Sequence, residues 1–335
     1  MAFPNVTDIV ATTIESRSKK IADNVTNNNA LLAKLEQRGN IKTISGGSTI
    51  LEELSFAENN NAGWYSGYDL LPVAAQDVIS AAQFALKQAA VPVTISGLEM
   101  LQNAGKEQMI DLLDGRITVA ESTMSNMLTQ GVYSDGTGYG GKTIVGLEAV
   151  VPANASGTSA PIATGTYGAI DRATWLFWRP YSSHPTTALT AATIQGAMND
   201  VWSKLIRGSD RPDLIVMDNF MWSIYIASLQ ANQRFNGTEV AKLGFPTLKY
   251  MDADVVLDGG LYFPSSAFGA GAVTKTAYFL NTKYLKWRPH AQRNMVALAP
   301  NKRYAINQDA EVTILAWAGA LTCSGQAFQG RLTTT

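Results

Sequence analysis

Apolar residues recur at alternating spacings of three and four between residues 110 and 127, which is the period of an amphipathic helix. The pattern is carried by Ile110, Leu113, Ile117, Ala120, Met124 and Met127. We predict one long helix from Ser96 to about residue 130, with Ser96 as the N-cap and Glu99 completing a capping box. An unbroken helix of this length would span about 50 Å at 1.5 Å per residue.

The segment before this helix has the pattern of extended strands. Residues 49–56 predict a strand, 58–63 a turn and the aromatic stretch 64–68 a second strand, which together form a β-hairpin. Residues 78–95 continue as extended chain, and Pro92 favours a sheet edge. A two-stranded projection is marginal alone in water, so we expect it to lie on another subunit; the alternative is that it folds back on its own domain. The side chains predicted to make the inter-subunit contact are Ile50, Leu54, Phe56, Trp64, Tyr65 and Tyr68.

The remaining regions mix helix and strand patterns. Apolar spacing within residues 1–45 predicts two short amphipathic helices, with Gly39 as a stop signal. Residues 304–321 predict two strands whose partners lie beside the long helix. The middle of the chain predicts strands at 144–151, 213–217, 248–257 and 276–281, and helices at 193–206 and 220–230. This middle region predicts one α/β or α+β domain, and the fold class predicted for the whole chain is α+β.

The composition favours a surface that lies largely against other protein. Charged residues make up 16% of the 335 residues, against about 25% in average soluble domains, and the chain has seven Trp and twelve Tyr. The net charge of −1 argues against bulk attraction to nucleic acid. Both ends are basic and the middle is acidic, which suits an anionic partner, the acidic middle of a neighbouring copy, or scattered solvated charge.

Two further observations concern the redox environment of the chain and its relation to membranes. The single cysteine, Cys323, excludes an intramolecular disulfide framework and fits a reducing environment. The long uncharged run at 312–330 contains Thr, Ser, Gln and Gly, so it predicts a buried strand with a turn, and we predict no membrane partner.

One segment matches a nucleotide-binding motif. Residues 136–143, the glycine-rich loop, read GTGYGGKT from Gly136 to Thr143 and fit G-x-x-x-x-G-K-[ST]. Residues 214–218 form an apolar run that ends in Asp218, as a magnesium-binding strand would. The flanks argue against an ATPase, because a helix is predicted before the loop and a strand after it, whereas a phosphate cradle needs the reverse order. A P-loop NTPase that uses this segment stays the alternative from another functional class.

Other catalytic chemistry is sparse. The two histidines, His184 and His290, lie in no zinc-binding or catalytic-triad spacing, and no G-x-S-x-G elbow is present. Asp252, Asp254 and Asp258 suit a cation, but turns at strand ends explain them equally well. We therefore predict no enzyme activity, no catalytic or metal-ligating residue and no cofactor.

The order of these parts resembles the major capsid protein of tailed bacteriophages, of the Hong Kong 97 type. The resemblance covers nearly the whole chain. Its motifs lie at residues 46–54, 64–69, 95–99, 134–147 and 319–331.

The resemblance implies a division of the chain into the parts of that fold. Residues 1–45 would be an N-terminal arm, 46–95 an extended loop hairpin that lies over a neighbouring subunit, and 144–280 an axial α/β domain. Residues 96–143 and 281–335 would form a discontinuous peripheral domain with the long spine helix. The glycine-rich loop would then be a connector.

The implied function is a structural shell protein. Copies of the chain would assemble into hexamers and pentamers of an icosahedral shell that encloses double-stranded DNA without sequence-specific binding. Other implied partners are a portal and separate scaffold or cement proteins, and the implied location is the virion, assembled in the host cytoplasm. A cellular nanocompartment shell of the same fold is the alternative within this class.

The chain departs from some relatives at one chemical point. Some members of that family join their subunits through an isopeptide bond from a lysine in the hairpin, but this sequence has no lysine between Lys42 and Lys87. We therefore expect a shell without such bonds.

Overall fold

The computed structural model describes residues 29–99, 112–229, 247–258, 275–298, 303–304 and 309–335. Its helices are α1 (Ala30–Gln37), α2 (Leu112–Tyr133), α3 (Gly138–Gly141), α4 (Leu147–Val150), α5 (Ile194–Leu205) and α6 (Asn219–Leu229). The first eight strands are β1 (Thr49–Ser55), β2 (Ile79–Ala85), β3 (Lys87–Ser96), β4 (Thr158–Pro161), β5 (Thr166–Tyr167), β6 (Ile170–Asp171), β7 (Tyr181–His184) and β8 (Leu214–Met217). The remaining strands are β9 (Thr247–Tyr250), β10 (Ala253–Leu257), β11 (Thr276–Leu280), β12 (Leu285–Pro289), β13 (Val296–Ala297), β14 (Arg303–Tyr304), β15 (Ala310–Cys323) and β16 (Gly330–Thr333).

A seven-stranded mixed sheet forms the middle of the molecule, in the order β4-β7-β16-β11-β8-β10-β9. Strand β8 has four apolar residues in a row, and all four are buried. Leu214 and Val216 pack into one core, and Ile215 and Met217 pack into a second core on the other face, with α5 and α6. A strand buried on both faces needs such a continuous apolar run. The predicted strands and helices at 193–230 are thus confirmed within one or two residues.

The C-terminal strand β16 belongs to this middle sheet. It pairs with β11 and β7, and Leu332 is fully buried between them. The resemblance implied that all of residues 281–335 lie in the peripheral domain with the long helix, but the strand at 330–333 pairs within the middle sheet. The preceding strand β15 does lie beside the long helix, since it pairs with β3, which packs on α2.

A second sheet is built around β15, which pairs with β12, β13, β14 and β3. Among the described residues β3 pairs with β15 alone, so Pro92 lies on an edge strand as predicted. The capping box also forms, because the amide of Ser96 donates to Glu99 Oε2 at 3.1 Å and the amide of Glu99 donates to Ser96 Oγ at 3.3 Å. Residues 97–99 are helical, and the predicted helix between them and α2 lies outside the described residues.

Two predicted strands are corrected. Residues 144–151 contain the helical turn α4, in which Leu147 and Val150 are fully buried. The chain reaches this turn through Gly146, where a Cβ atom would come too close to the backbone of Val132, so only glycine allows the approach to α2. The predicted strand at 248–257 is two strands, β9 and β10, separated by a turn at Met251, whose φ is +50°.

Polar contacts connect the helix α1 to β10 and to the end of α2. Helix α1, the described part of the two helices predicted in residues 1–45, ends before Gly39, which has a φ of +68°. Lys34 on α1 forms a buried ion pair of 2.8 Å with Asp254 on β10. Asp258, just after β10, accepts from the amide of Ala30 at 3.1 Å and from the hydroxyl of Tyr133 at the end of α2. Residues 1–28 lie outside the described residues.

Candidate inter-subunit site

The hairpin consists of β1 and β2, here called the base, and of residues 57–78 between them, here called the tip. The strands pair antiparallel from Thr49 opposite Ala85 to Ser55 opposite Ile79. The sequence analysis predicted a hairpin in which residues 49–56 pair with 64–68. This prediction is wrong, because the partner strand of β1 is β2. In the actual register Ile50 lies opposite Phe84, so two buried side chains share one face.

The base packs on its own chain. Ile50, Leu54 and Phe84 are at most 8% exposed and belong to the core that contains β8 and β15. The Phe84 ring meets the ring of Tyr167 edge to face at 5.2 Å. The amide of Gln83 donates to the carbonyl of Gly168 at 2.9 Å, which fixes β2 to the β5–β6 turn.

A buried carboxylate fixes the base to the β15 sheet. Glu52 is 2% exposed, and its Oε2 accepts from Lys286 Nζ at 2.6 Å. Its Oε1 accepts from Arg288 Nε at 2.8 Å and from Thr322 Oγ1 at 3.0 Å. Burial raises the pKa of Glu52, but the hydrogen bonds from Lys286 and Arg288 outweigh it, so the pKa lies below its ordinary value. The carboxylate is therefore charged and paired at neutral pH.

Sequence reasoning missed this network, although a local signal exists. Glu52 lies between Ile50 and Leu54 on the face of β1 that alternation marks as apolar. Lys286 and Arg288 likewise alternate along β12. A charge on a buried face indicates a buried partner of opposite charge.

The junction between base and tip is aromatic. The ring of Phe56 lies 5.4 Å from Trp175 and 6.0 Å from Phe177. Phe56 also closes the hairpin, because its amide donates to the carbonyl of Val78 at 3.1 Å. The hairpin therefore remains on its own chain as far as Phe56.

The tip, in contrast, buries almost nothing. Trp64 and Tyr68 are fully exposed and Tyr65 is 67% exposed. Its conformation is held by polar turn contacts, such as the amide of Ser66 to Asp69 Oδ2 at 2.8 Å. Other apolar side chains that the sequence analysis did not single out extend the exposed surface: Leu70, Leu71 and Val73.

The structure thus divides the six residues of the predicted inter-subunit site. Ile50, Leu54 and Phe56 pack within their own chain, so they offer little surface to a neighbour, and we withdraw them from the site. Trp64, Tyr65 and Tyr68 project from the chain and stay candidates. Contiguous exposed apolar surface of this kind marks interaction sites.

The glycine-rich loop does not have the geometry of a phosphate cradle. It follows the long helix α2 and forms the single turn α3, in place of joining a strand to the start of a helix. The amide of Thr137 donates to Asp135 Oδ1 at 2.8 Å. The amide of Gly141 donates to the carbonyl of Thr137 at 2.9 Å. The amide of Lys142 donates to the carbonyl of Gly138 at 3.1 Å, so these donors are directed inward.

The proposed magnesium partner of that loop is a helix cap. Asp218 is 3% exposed and its Oδ1 accepts from the amide of Met221 at 2.8 Å in the first turn of α6. Its other oxygen accepts from the amide of Lys275. Burial raises the pKa of Asp218 above its ordinary value, although these hydrogen bonds act to lower it. Neither the glycine-rich loop nor residues 214–218 therefore have the geometry that a nucleotide-binding site requires.

The three aspartates do not form a cation site. Each has a separate partner: Asp252 pairs with Arg211 at 3.0 Å, Asp254 with Lys34, and Asp258 with Ala30 and Tyr133. In the part of the chain that the structure describes, no group of three or more His, Cys, Asp and Glu side chains is placed to hold a metal. None of the helices in those same ranges is both long and apolar enough to cross a membrane.

Comparison with known proteins gives a consistent fold. No protein-family model matches the chain, and no curated protein matches its sequence. Among solved structures, the capsid asymmetric unit of cyanophage A-1(L) superposes with a TM-score of 0.64 at 16% identity, covering 93% of this chain and 94% of that one. The capsid of a native GTA particle gives a TM-score of 0.60 at 12% identity, covering 96% and 98%. The capsid of Myoviridae phage XM1 gives 0.55 at 12% identity, covering 97% and 98%. The chain therefore has the α+β fold of phage capsid proteins, as the resemblance led us to expect.

Proposed function

We propose that this chain is the major capsid protein of a tailed bacteriophage and has a structural role without enzyme activity. Its copies assemble into hexamers and pentamers of an icosahedral shell. The observation that carries the proposal is the exposed aromatic tip of a hairpin whose base is fixed to its own chain, on a capsid fold that matches over 93% of the chain.

The aromatic rings of the tip have no packing partner among the described residues of their own chain. Trp64 and Tyr68 are fully exposed, and each aromatic ring buries about 150–250 Å² when it finds a partner. In the structure neither ring reaches the core of its own chain, whereas the base that carries them is held there by the Glu52 network. A neighbouring copy is the partner available at every position of a shell, and one heterologous contact repeated with rotation closes rings.

The remaining partners follow from the same role. The shell encloses double-stranded DNA without sequence-specific contacts, in keeping with the net charge of −1. A portal and separate scaffold or cement proteins complete the particle, which assembles in the host cytoplasm and becomes the virion. We further propose that residues 144–280 face the symmetry axes and that the long helix with the β15 sheet lies at the periphery.

Electron microscopy of the purified chain tests the proposal. We expect closed shells from the wild-type chain and no shells when residues 58–77 are replaced by a short Gly-Ser turn that keeps β1 and β2. The matched control is Asn60→Ser, which keeps the length and every aromatic residue of the tip, and it is expected to form shells. Monomeric wild-type protein at high concentration, or normal shells without the tip, would contradict the proposal.

The contents of the particle distinguish the two container functions. Particles isolated from infected cells are expected to hold nuclease-protected double-stranded DNA. Particles that hold a protein cargo and no DNA would instead indicate a nanocompartment shell.

A further inference from the structure

The chain passes between the β15 sheet and the middle sheet at three places. Residues 134–157 lead from α2 to β4, residues 281–284 from β11 to β12, and residues 324–329 from β15 to β16. These segments are called here the first, second and third crossing. The relative orientation of the two sheets therefore depends on how the three crossings are held.

The side chain of Gln329 joins the third crossing to the second. Its Oε1 accepts from the amide of Asn281 at 2.9 Å, and its Nε2 donates to the carbonyl of the same residue at 3.1 Å. Gln329 is fully buried. The rings of Tyr284 and Phe328, one from each crossing, stack at 4.4 Å beside this contact. The two crossings are thus held side by side at a fixed separation.

The side chain of Gln326 joins the third crossing to the first. Its Nε2 donates to the carbonyl of Val150 at 2.8 Å, and its Oε1 accepts from Nε of Arg172 at 3.2 Å. Arg172 in turn donates from Nη2 to the carbonyl of Ala149 at 2.5 Å. Gln326 and Arg172 are at most 3% exposed, so these hydrogen bonds are made away from water.

A carboxylate connects the second crossing to the start of β8. Asp213 Oδ1 accepts from the amide of Thr282 at 2.7 Å, and its Oδ2 accepts from the hydroxyl of Thr282 at 2.6 Å. Arg38, just after α1, pairs with the same carboxylate at 2.9 Å. Asp213, Gln326 and Gln329 together are called here the crossing cluster.

The crossing cluster is directional, whereas the apolar contacts between the sheets are not. Leu214 of the middle sheet and Trp287 and Leu321 of the β15 sheet belong to one core, but apolar burial depends on area and not on direction. A hydrogen bond weakens steeply away from its preferred angle, and a satisfied buried polar network specifies one arrangement. Rotation of one sheet against the other would leave buried backbone groups of the crossings unpaired, which is costly.

The angle between the sheets matters for a shell because of where each sheet lies. The proposed function places the middle sheet toward the symmetry axes and the β15 sheet at the periphery, so this angle sets the rotation from one copy to the next. A repeated heterologous contact closes a ring only at a suitable rotation and otherwise gives an open helical assembly.

We propose that the crossing cluster fixes the angle between the two sheets and thereby selects the diameter of the shell. The proposal rests on the proposed shell function and adds the residues that determine one particle size. It gives a role to three buried or half-buried polar side chains that lie outside the hairpin.

Hydrogen exchange of the unassembled protein tests whether the cluster holds the crossings together. The amide of Ser324 donates to the carbonyl of Tyr284 at 2.9 Å and so joins the second and third crossings without contacting Gln329 through a hydrogen bond. Gln329→Met is expected to raise exchange at the Ser324 amide about tenfold, as the loss of one or two buried hydrogen bonds predicts. Gln195→Met is the matched control, because Gln195 bonds Ser228 between α5 and α6, away from the crossings.

Electron microscopy of assembled particles tests the effect on the shell. We expect one diameter from the wild-type chain and from Gln195→Met, and several diameters or open tubes from Gln329→Met. Gln326→Glu should broaden the diameters more weakly, because it keeps an acceptor for Arg172 and loses only the donor to Val150. This milder variant decides the question if the methionine variant fails to fold.

A destabilised subunit with intact crossings is the second control. Met198 is fully buried among the side chains of α5 and α6 on one face of the middle sheet, so Met198→Ala lowers the stability of the subunit through a cavity. The angle between the sheets is expected to remain, and the shells should keep the wild-type diameter.

The outcomes separate this inference from the proposed function. A single wild-type diameter from folded Gln329→Met, or from Gln326→Glu where the former does not fold, overturns the role of the crossing cluster and leaves the shell function intact. Unchanged exchange at Ser324 also overturns it, as does equal broadening in Met198→Ala, since loss of stability alone would then suffice. Failure of the wild-type chain to form any shell overturns both proposals.

Discussion

The two ends of one hairpin differ sharply. At the base, β1 and β2 place Ile50, Leu54 and Phe84 in the core of their own chain and Glu52 in a buried ion network. At the tip, the rings of Trp64 and Tyr68 lie fully in solvent. The paired strands also end at Ser55 opposite Ile79, and one further hydrogen bond, from the Phe56 amide to the Val78 carbonyl, closes the hairpin. The base of the hairpin is therefore part of the folded subunit, whereas the proposed function gives the tip a role in assembly.

The difference has an energetic consequence. Apolar surface removed from water contributes about 25 cal/mol per Å², and an aromatic ring buries about 150–250 Å². Burial of Trp64 and Tyr68 on a neighbour would therefore contribute several kcal/mol per subunit that the isolated chain does not have. Substitutions in the base should change subunit stability, and substitutions in the tip should change assembly.

The largest effect on subunit stability is expected at the base. Phe84→Ala removes a ring that is 6% exposed and packed on Tyr167, and such truncations cost about 3–5 kcal/mol. The matched control is Ile79→Ala on the same strand, where the side chain is 73% exposed and the change should stay within about 0.5 kcal/mol. Denaturant unfolding of the unassembled protein measures both. Equal losses for the two variants would contradict the division between base and tip.

A smaller loss is expected from Glu52→Gln. The substitution leaves Lys286 and Arg288 without their carboxylate in a partly buried site, and removal of one partner of a buried pair costs about 3 kcal/mol. Glu53→Gln is the matched control, because the next residue of β1 is exposed. We expect no measurable change in the unfolding free energy of that variant.

The same pair of variants gives a pH readout. The pKa of Glu52 is lower in the folded chain than its ordinary value of 4.5, with burial opposing the shift and the hydrogen bonds of Lys286 and Arg288 producing it. A lowered pKa stabilises the fold above the unfolded pKa, and this stabilisation is lost as the pH falls through the folded value. Unfolding free energy below pH 4.5 should therefore fall more steeply in wild type and Glu53→Gln than in Glu52→Gln. Parallel curves would show that the network does not hold the base.

Local patterns predicted much of the fold. The capping box of Ser96 and Glu99 and the buried run of β8 depend on neighbours in sequence, so they were visible without the structure. The turn α4 was missed because Val145, Val150 and Val151 favour strands, whereas its conformation is set by contact with α2.

The site was predicted less completely, for a physical reason. Alternation in β1 identifies a buried face but does not reveal what covers it. The partners of Glu52 lie 234 and 236 residues away in the sequence, so the assignment of Ile50 and Leu54 to a neighbouring subunit could not be distinguished from burial within the same chain. The aromatic residues of the tip were recognised, yet they were placed in a strand because Trp and Tyr favour strands wherever a partner strand exists.

The smallest effect on the isolated subunit is expected at the tip. Trp64→Ala removes a fully exposed indole, so the unfolding free energy of unassembled protein should change by less than about 0.5 kcal/mol. The same variant should raise the critical concentration for shell formation, because the lost ring area matters only once a neighbour covers it. Light scattering against protein concentration measures assembly, and denaturant unfolding measures the subunit. A stability loss as large as that of Phe84→Ala would mean that the indole packs on its own chain. The tip would then contribute to the stability of the subunit as the base does, and the distinction between base and tip would be lost.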